Sequence, residues 1–155
     1  MRTRTILASL VMFLAGLALC FAVEHNMGTW KLNEAKSKFA EGATKNITVV
    51  YEDAGDNIKV TVDGVDKDGK PVHSEWTGKF DGKDYPVTGN PTNEDARSYK
   101  KVDDHTMDFT GKKGGKAMAT GRIVLAADGK SRTVTITVTD SSGKKTTNVA
   151  VYDKQ

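Results

Sequence analysis

The chain has 155 residues, a formal net charge of +3, and hydrophobic residues at 37% of its positions. Lysines and acids are interspersed along it, which gives little support to nucleic-acid binding through a basic face. The length fits one domain that buries roughly two thirds of its unfolded surface.

Residues 1–22 are predicted to be a secretory signal peptide. Arg2 and Arg4 precede an apolar run of about 16 residues, shorter than the roughly 20 residues of a membrane-spanning helix. Cys20 and Ala22 are the small residues of a cleavage site, and Leu19 before Cys20 argues against lipidation. Cleavage after Ala22 removes the only cysteine and lowers the net charge from +3 to +1. We therefore expect residues 23–155 to form one secreted or periplasmic domain, with no disulfide and no transmembrane span.

Beyond the leader, apolar residues recur with period two in short runs separated by Gly, Asp and Asn, which predicts β-strands joined by tight turns. Ten strands are predicted, at 27–33, 45–52, 58–63, 72–80, 85–88, 96–102, 106–112, 117–126, 132–139 and 146–152. The connector 34–43 has room for one helical turn. Pro86 removes a ladder donor, so the fifth strand is predicted to be an edge or irregular.

The connectors are too short for crossover helices, which excludes parallel pairing. Each strand's natural neighbour is the next one along the chain, and closure removes open edges. The sequence therefore predicts an all-β fold with little or no helix: a single antiparallel up-and-down barrel, favoured over a Greek-key sandwich.

The first predicted strand carries Gly28-Thr29-Trp30-Lys31-Leu32, which resembles the opening of the calycin barrels: the lipocalins and, more closely, the fatty-acid-binding proteins. The last strand is also similar, at Val151-Tyr152-Asp153-Lys154, and the whole chain looks like a bacterial secreted lipocalin-like protein. The resemblance implies that Gly28 and Trp30 are structural anchors. It also implies an interior cavity for a small apolar or amphipathic ligand.

Two features depart from that resemblance. The connector 34–43 is too short for the helix–turn–helix lid of the fatty-acid-binding proteins. Tyr152 matches the tyrosine of their Arg-x-Tyr carboxylate clamp, but Ala150 stands where the arginine would be. The usual clamp is therefore not expected here.

Aromatic and cationic side chains on the predicted strands are the candidate ligand contacts. An arginine that faces into a barrel is costly unless paired, and so marks an anion site. The alternatives are that Arg97 and Arg122 face water and that Trp76 belongs to the core, because the sequence does not assign each face to the inside or the outside. The predicted ligand-binding residues are Tyr51, Trp76, Arg97, Tyr99, Arg122 and Tyr152.

A metal site depends on processing. Cleavage after Ala22 leaves Val23-Glu24-His25 at the N-terminus, where the amine, two amide nitrogens and the imidazole of His25 can bind Cu(II) or Ni(II) in a square plane. The alternative is a frayed terminus with an incidental histidine. No nucleophile motif or phosphate-binding glycine loop is present, so we expect neither an enzyme nor a cofactor.

These observations predict a secreted or periplasmic barrel, monomeric, that binds a small hydrophobic or amphipathic ligand. The alternative is a non-enzymatic structural or protein-interaction barrel, whose interior is packed solid by its own side chains. A hollow interior would favour the ligand-binding hypothesis, and a filled interior would favour the structural or protein-interaction hypothesis.

Overall fold

The structure is a computed structural model that describes residues 25–91 and 93–155. The predicted signal peptide, 1–22, lies outside the described residues. The ten strands are β1 (Gly28–Leu32), β2 (Lys45–Ala54), β3 (Asn57–Val65), β4 (Pro71–Gly78), β5 (Tyr85–Gly89), β6 (Ala96–Lys101), β7 (Thr106–Lys113), β8 (Lys116–Leu125), β9 (Ser131–Thr139) and β10 (Lys145–Lys154). A single 3-10 turn, Glu34–Lys36, occupies the connector that was predicted to hold one helical turn.

The strands form a closed antiparallel barrel in sequence order, which confirms the predicted fold. The seam lies at β1, where Trp30 is paired with Val49 of β2 on one side and with Lys154 of β10 on the other. In the part of the chain that the structure describes, no helix is long and apolar enough to cross a membrane.

β5 is the most sparsely paired strand of the barrel. It pairs with β4 through three residues, from Val87 to Gly89, but with β6 only at Tyr85 and Pro86. The strand is thus irregular, as Pro86 predicts, but it is not an edge. Pro86 has no N–H to donate to the ladder, which accounts for the sparse pairing.

Two tryptophans anchor the interior. Trp30 is fully buried, and its indole nitrogen donates to the carbonyl oxygen of Asn26 at 2.8 Å. Gly28 precedes it with φ of 102°, a conformation that favours glycine. The predicted anchors Gly28 and Trp30 thus lie on β1, paired with Tyr51 and Val49 of β2.

Trp76 is the centre of an aromatic cluster inside the barrel. Its ring lies 4.8 Å from that of Tyr99, 5.6 Å from that of Tyr85 and 6.2 Å from that of Phe80. The ring of Tyr85 covers Gly78, where a Cβ would lie 2.5 Å from the Tyr85 Cγ, so only a glycine leaves room for this packing. The cluster fills the part of the interior around Trp76, and the ring of Tyr99 is its side towards the cavity.

Candidate ligand-binding cavity

The barrel is not filled along its whole length: it encloses a cavity of about 350 Å³. This volume lies at the lower end of the range of roughly 300–1,000 Å³ that is usual for small-molecule sites. The apolar part of its lining includes Phe39, Val49, Val62, Val72, Phe109, Ala119, Ile123, Val134, Ile136, Val138 and Ala150. A hollow interior is what the ligand-binding hypothesis requires.

The mouth of the cavity lies at the barrel end that carries the connectors 39–44, 91–94 and 140–144, each of which contributes residues to the lining. The connector after β1 is tied to the wall, because the Asn148 side chain accepts from the Ala40 backbone N–H at 2.8 Å and Lys38 pairs with Val149. Phe39 and its neighbours thus border the opening. They lie at the place in the chain where the fatty-acid-binding proteins have a helix–turn–helix lid.

The period-two pattern of the strands separates wall from surface. On β9, Val134, Ile136 and Val138 line the cavity, while Thr135, between the first two, is exposed on the outside. Because successive side chains on a strand point to opposite faces, each residue of the same parity must also face inward.

Four of the six predicted ligand contacts line this cavity: Tyr51, Arg97, Tyr99 and Tyr152. The hydroxyl of Tyr152 donates to the carbonyl oxygen of Asn46 at 2.9 Å, which fixes the ring against the wall. The structure therefore brings residues from β2, β6 and β10, far apart in sequence, to one site.

The other two predicted contacts do not reach it. Trp76 lies behind Tyr99, 1% exposed, and its indole nitrogen donates to the Arg97 carbonyl oxygen at 2.8 Å. Arg122 is exposed on the outer face and binds both carboxylate oxygens of Asp108, at 2.7 and 2.9 Å. On β8 the inward parity belongs to Ala119 and Ile123, so Arg122 has to point outward.

The sequence analysis missed a third arginine, Arg132 on β9. It is 2% exposed and lines the cavity. Its guanidinium carbon lies 4.6 Å from the ring centroid of Trp30, 4.9 Å from that of Tyr51 and 5.2 Å from that of Tyr152. The signal was present in the pattern, because Arg132 has the same parity as Val134, Ile136 and Val138.

Arg97 is held differently. Its guanidinium donates from Nε to Glu94 at 3.0 Å, from Nη2 to the same carboxylate, and from Nη1 to the Tyr99 hydroxyl at 3.0 Å. Gly111 makes room for this arrangement, since a Cβ there would lie 2.6 Å from a Glu94 oxygen. Arg97 is therefore a buried cation whose charge is already neutralised.

Burial raises the pKa of two tyrosines of the cavity, Tyr99 and Tyr152. Burial raises the pKa of Tyr152 to about 12, against an opposing attraction from Arg132. Burial likewise raises the pKa of Tyr99 well above its ordinary value, with Arg97 as the largest opposing influence. Both phenols thus remain hydrogen-bonding groups at neutral pH and carry no charge.

The predicted copper or nickel site cannot be assembled from the described residues, because Val23 and Glu24 lie outside them. His25 itself is exposed, and its ring centroid lies 6.2 Å from that of His105. Within residues 25–91 and 93–155, no group of three or more His, Cys, Asp or Glu side chains is placed to hold a metal ion.

No protein-family model matches the chain, and no curated protein matches it. Solved structures do. EF1p2_mFAP2b bound to DFHBI has a TM-score of 0.52 at 11% identity, over 87% of this chain and 98% of that chain. A redesigned β-barrel, mFAP1, bound to DFHBI, has a TM-score of 0.46 at 16% identity, over 86% of this chain and 99% of that one. At 11% identity the first likeness extends to the fold alone.

Proposed function

We propose that the protein is a non-catalytic carrier that binds one small hydrophobic or amphipathic molecule inside its barrel. The observation that supports this most directly is the cavity of about 350 Å³, open at one end, whose lining exposes more apolar than polar surface. Removing the apolar surface of a ligand from water provides the driving force for binding.

The remaining parts of the proposal rest on the sequence. The leader 1–22 supports action outside the cytoplasm, and the motifs at Gly28–Leu32 and 151–154 support a place among the calycins. We also propose that the protein functions as a monomer. EF1p2_mFAP2b, which shares the fold, is bound to DFHBI, so a barrel of this kind can hold a small molecule.

Titration with an uncharged fluorescent probe, N-phenylnaphthylamine, tests the proposal. We expect saturable enhancement of its fluorescence with one site per chain. Ile136→Trp places a large ring in the cavity and should weaken binding at least tenfold, roughly 1.4 kcal/mol. Thr135→Trp is the matched control, because it places the same ring on the outer face of the same strand.

Two results would count against a carrier. One is the absence of saturable enhancement with the unmodified protein. The other is an Ile136→Trp protein that binds the probe no more weakly than Thr135→Trp does, which would argue against binding inside the barrel. Circular dichroism of each variant establishes that the fold is retained.

A further inference from the structure

The buried guanidinium of Arg132 has hydrogen-bond donors to spare. Its Nε and Nη1 atoms are buried and find no acceptor among residues 25–91 and 93–155. A buried donor without a partner is costly, and a buried charge is more so. The Arg132 side chain is only 2% exposed and lines the cavity, so a ligand in the cavity is the partner that could accept hydrogen bonds from it.

Three aromatic rings stabilise the positive charge of Arg132, but they do not provide hydrogen-bond acceptors for its N–H groups. The faces of Trp30, Tyr51 and Tyr152 attract the cation at 4.6 to 5.2 Å. Ring faces are weak acceptors, however, and do not replace the fork-shaped hydrogen bonds that a guanidinium makes with an oxyanion. The rings hold the fork in place and leave its N–H groups available.

The other arginines of the described chain show what a satisfied one looks like. Arg97 has Glu94 and the Tyr99 hydroxyl as acceptors, and Arg122 has Asp108 on the outer face. No carboxylate of the described residues forms an ion pair with Arg132. Of the two arginines that line the cavity, Arg97 is thus already neutralised and Arg132 is not.

The position of Arg132 sets the orientation of a ligand. It follows Ser131, the first residue of β9, whereas the mouth is bordered by 140–144 beyond the other end of the same strand. Apolar side chains of β9, Val134, Ile136 and Val138, lie between them along the strand. A ligand that reaches Arg132 with a charged end would leave its apolar part against these residues.

We propose that the ligand is an amphipathic anion that enters head first, with its carboxylate or sulfonate oxygens bound to N–H groups of the Arg132 guanidinium. This rests on the proposed function, because it specifies the class of molecule held in the same cavity. The low polarity of the site strengthens such a charge-assisted pair relative to water.

A matched pair of dyes tests the head group separately from the cavity. Anilinonaphthalene sulfonate and N-phenylnaphthylamine share the same ring system, and only the first carries a sulfonate. We expect Arg132→Gln to lower the affinity for the sulfonate dye about 10- to 100-fold, the range for a lost hydrogen bond to a charged group. The affinity for the uncharged dye should change less than about twofold. Arg122→Gln, on the outer face, should leave both dyes unchanged.

The outcomes separate the two proposals. If the unmodified protein binds neither dye in a saturable manner, the carrier function fails. If the uncharged dye binds, but Arg132→Gln affects both dyes equally or neither, the head-group assignment is overturned and the carrier function stands. Should Arg132→Gln not fold, the Nε–H resonance of Arg132 in isotope-labelled unmodified protein replaces it. That resonance must shift with the sulfonate dye and not with the uncharged one, and equal responses would refute the assignment.

Discussion

Arg132 of β9 and Tyr152 of β10 lie directly opposite each other, with the guanidinium carbon 5.2 Å from the centroid of the Tyr152 ring. Both side chains are almost completely buried at the wall of the cavity. The barrel thus places a permanent cation beside a phenol that burial keeps protonated. Ionisation of Tyr152 is therefore coupled to the stability of the fold.

Two tyrosines of the cavity, Tyr99 and Tyr152, should make the fold sensitive to alkali. The pKa of Tyr152 is about 12 in the folded chain, against an ordinary value of about 10. A raised pKa contributes stability below about pH 10 that is lost as the pH rises towards about 12, and two pH units correspond to about 2–3 kcal/mol. Urea unfolding at several alkaline pH values measures the decline.

Tyr152→Phe is the matched comparison for that decline. It removes the phenol and keeps the ring beside Arg132, so the free energy of unfolding should fall less steeply with pH than in the unmodified protein. Part of the decline should remain, because burial also raises the pKa of Tyr99. The same slope in both proteins would show that Tyr152 ionises as an exposed tyrosine does.

The ion pair near the mouth should limit the affinity for anions. Glu94 neutralises Arg97 inside the cavity, so Glu94→Gln leaves a second buried cation with a weaker partner. We expect the affinity for anilinonaphthalene sulfonate to rise about 3- to 10-fold, roughly 1 kcal/mol, with little change for the uncharged dye.

Asp108→Asn is the control for Glu94→Gln. It removes the acid that pairs with Arg122 on the outer face, which changes the net charge of the protein by the same amount. An equal gain in affinity from both substitutions would assign the effect to net charge. A fall in affinity with Glu94→Gln would show that the pair positions Arg97 for the ligand.

Trp76 should matter for stability and not for binding. It is 1% exposed, packs against Tyr85 and Tyr99, and lies outside the lining of the cavity. Trp76→Ala should lower the free energy of unfolding by about 3–5 kcal/mol, as expected for a buried tryptophan. Val102→Ala, at a residue that is 49% exposed, should change it by less than about 0.5 kcal/mol.

Dye binding completes that comparison. The affinity for N-phenylnaphthylamine, measured under conditions where Trp76→Ala remains folded, should stay within about threefold of the original value. A larger loss of affinity, without a loss of stability, would place Trp76 in contact with the ligand.

His73 on the outer face of β4 should titrate at an elevated pH. Its Nδ1 lies 2.6 Å from Asp63, and this hydrogen bond, followed by attraction to the Asp63 and Glu75 charges, raises the pKa of His73 above its ordinary value. The resulting contribution to stability is complete below the ordinary pKa of about 6.5 and is lost as the pH rises through the higher folded value. Because the side chain is half exposed, the effect on stability should be small.

Nuclear magnetic resonance of the His73 ring measures this pKa directly. Asp63→Asn should lower it, since the carboxylate that favours the imidazolium is gone. Asp108→Asn, an acid that does not contribute to the raised pKa of His73, should leave it unchanged. An identical His73 titration in Asp63→Asn and the unmodified protein would contradict the assigned hydrogen bond.

The sequence by itself determined the architecture. Alternating apolar residues, as in 132–139, specify strands, and the short turns between them leave only antiparallel neighbours, so ten such strands close into a barrel. The sequence also named Tyr51, Arg97, Tyr99 and Tyr152, which line the cavity, but the same pattern named Trp76 and Arg122, which do not.

Only the tertiary structure decided which face of each strand is the inner one. Period two divides a strand into two faces but does not say which of them meets the cavity, and closure of the barrel makes that choice. It turned Arg122 to Asp108 on the outside, placed Trp76 behind Tyr99, and brought Arg132 among the rings of β1, β2 and β10. The contacts of Arg132 are between strands remote in sequence, so local pattern alone does not reveal them.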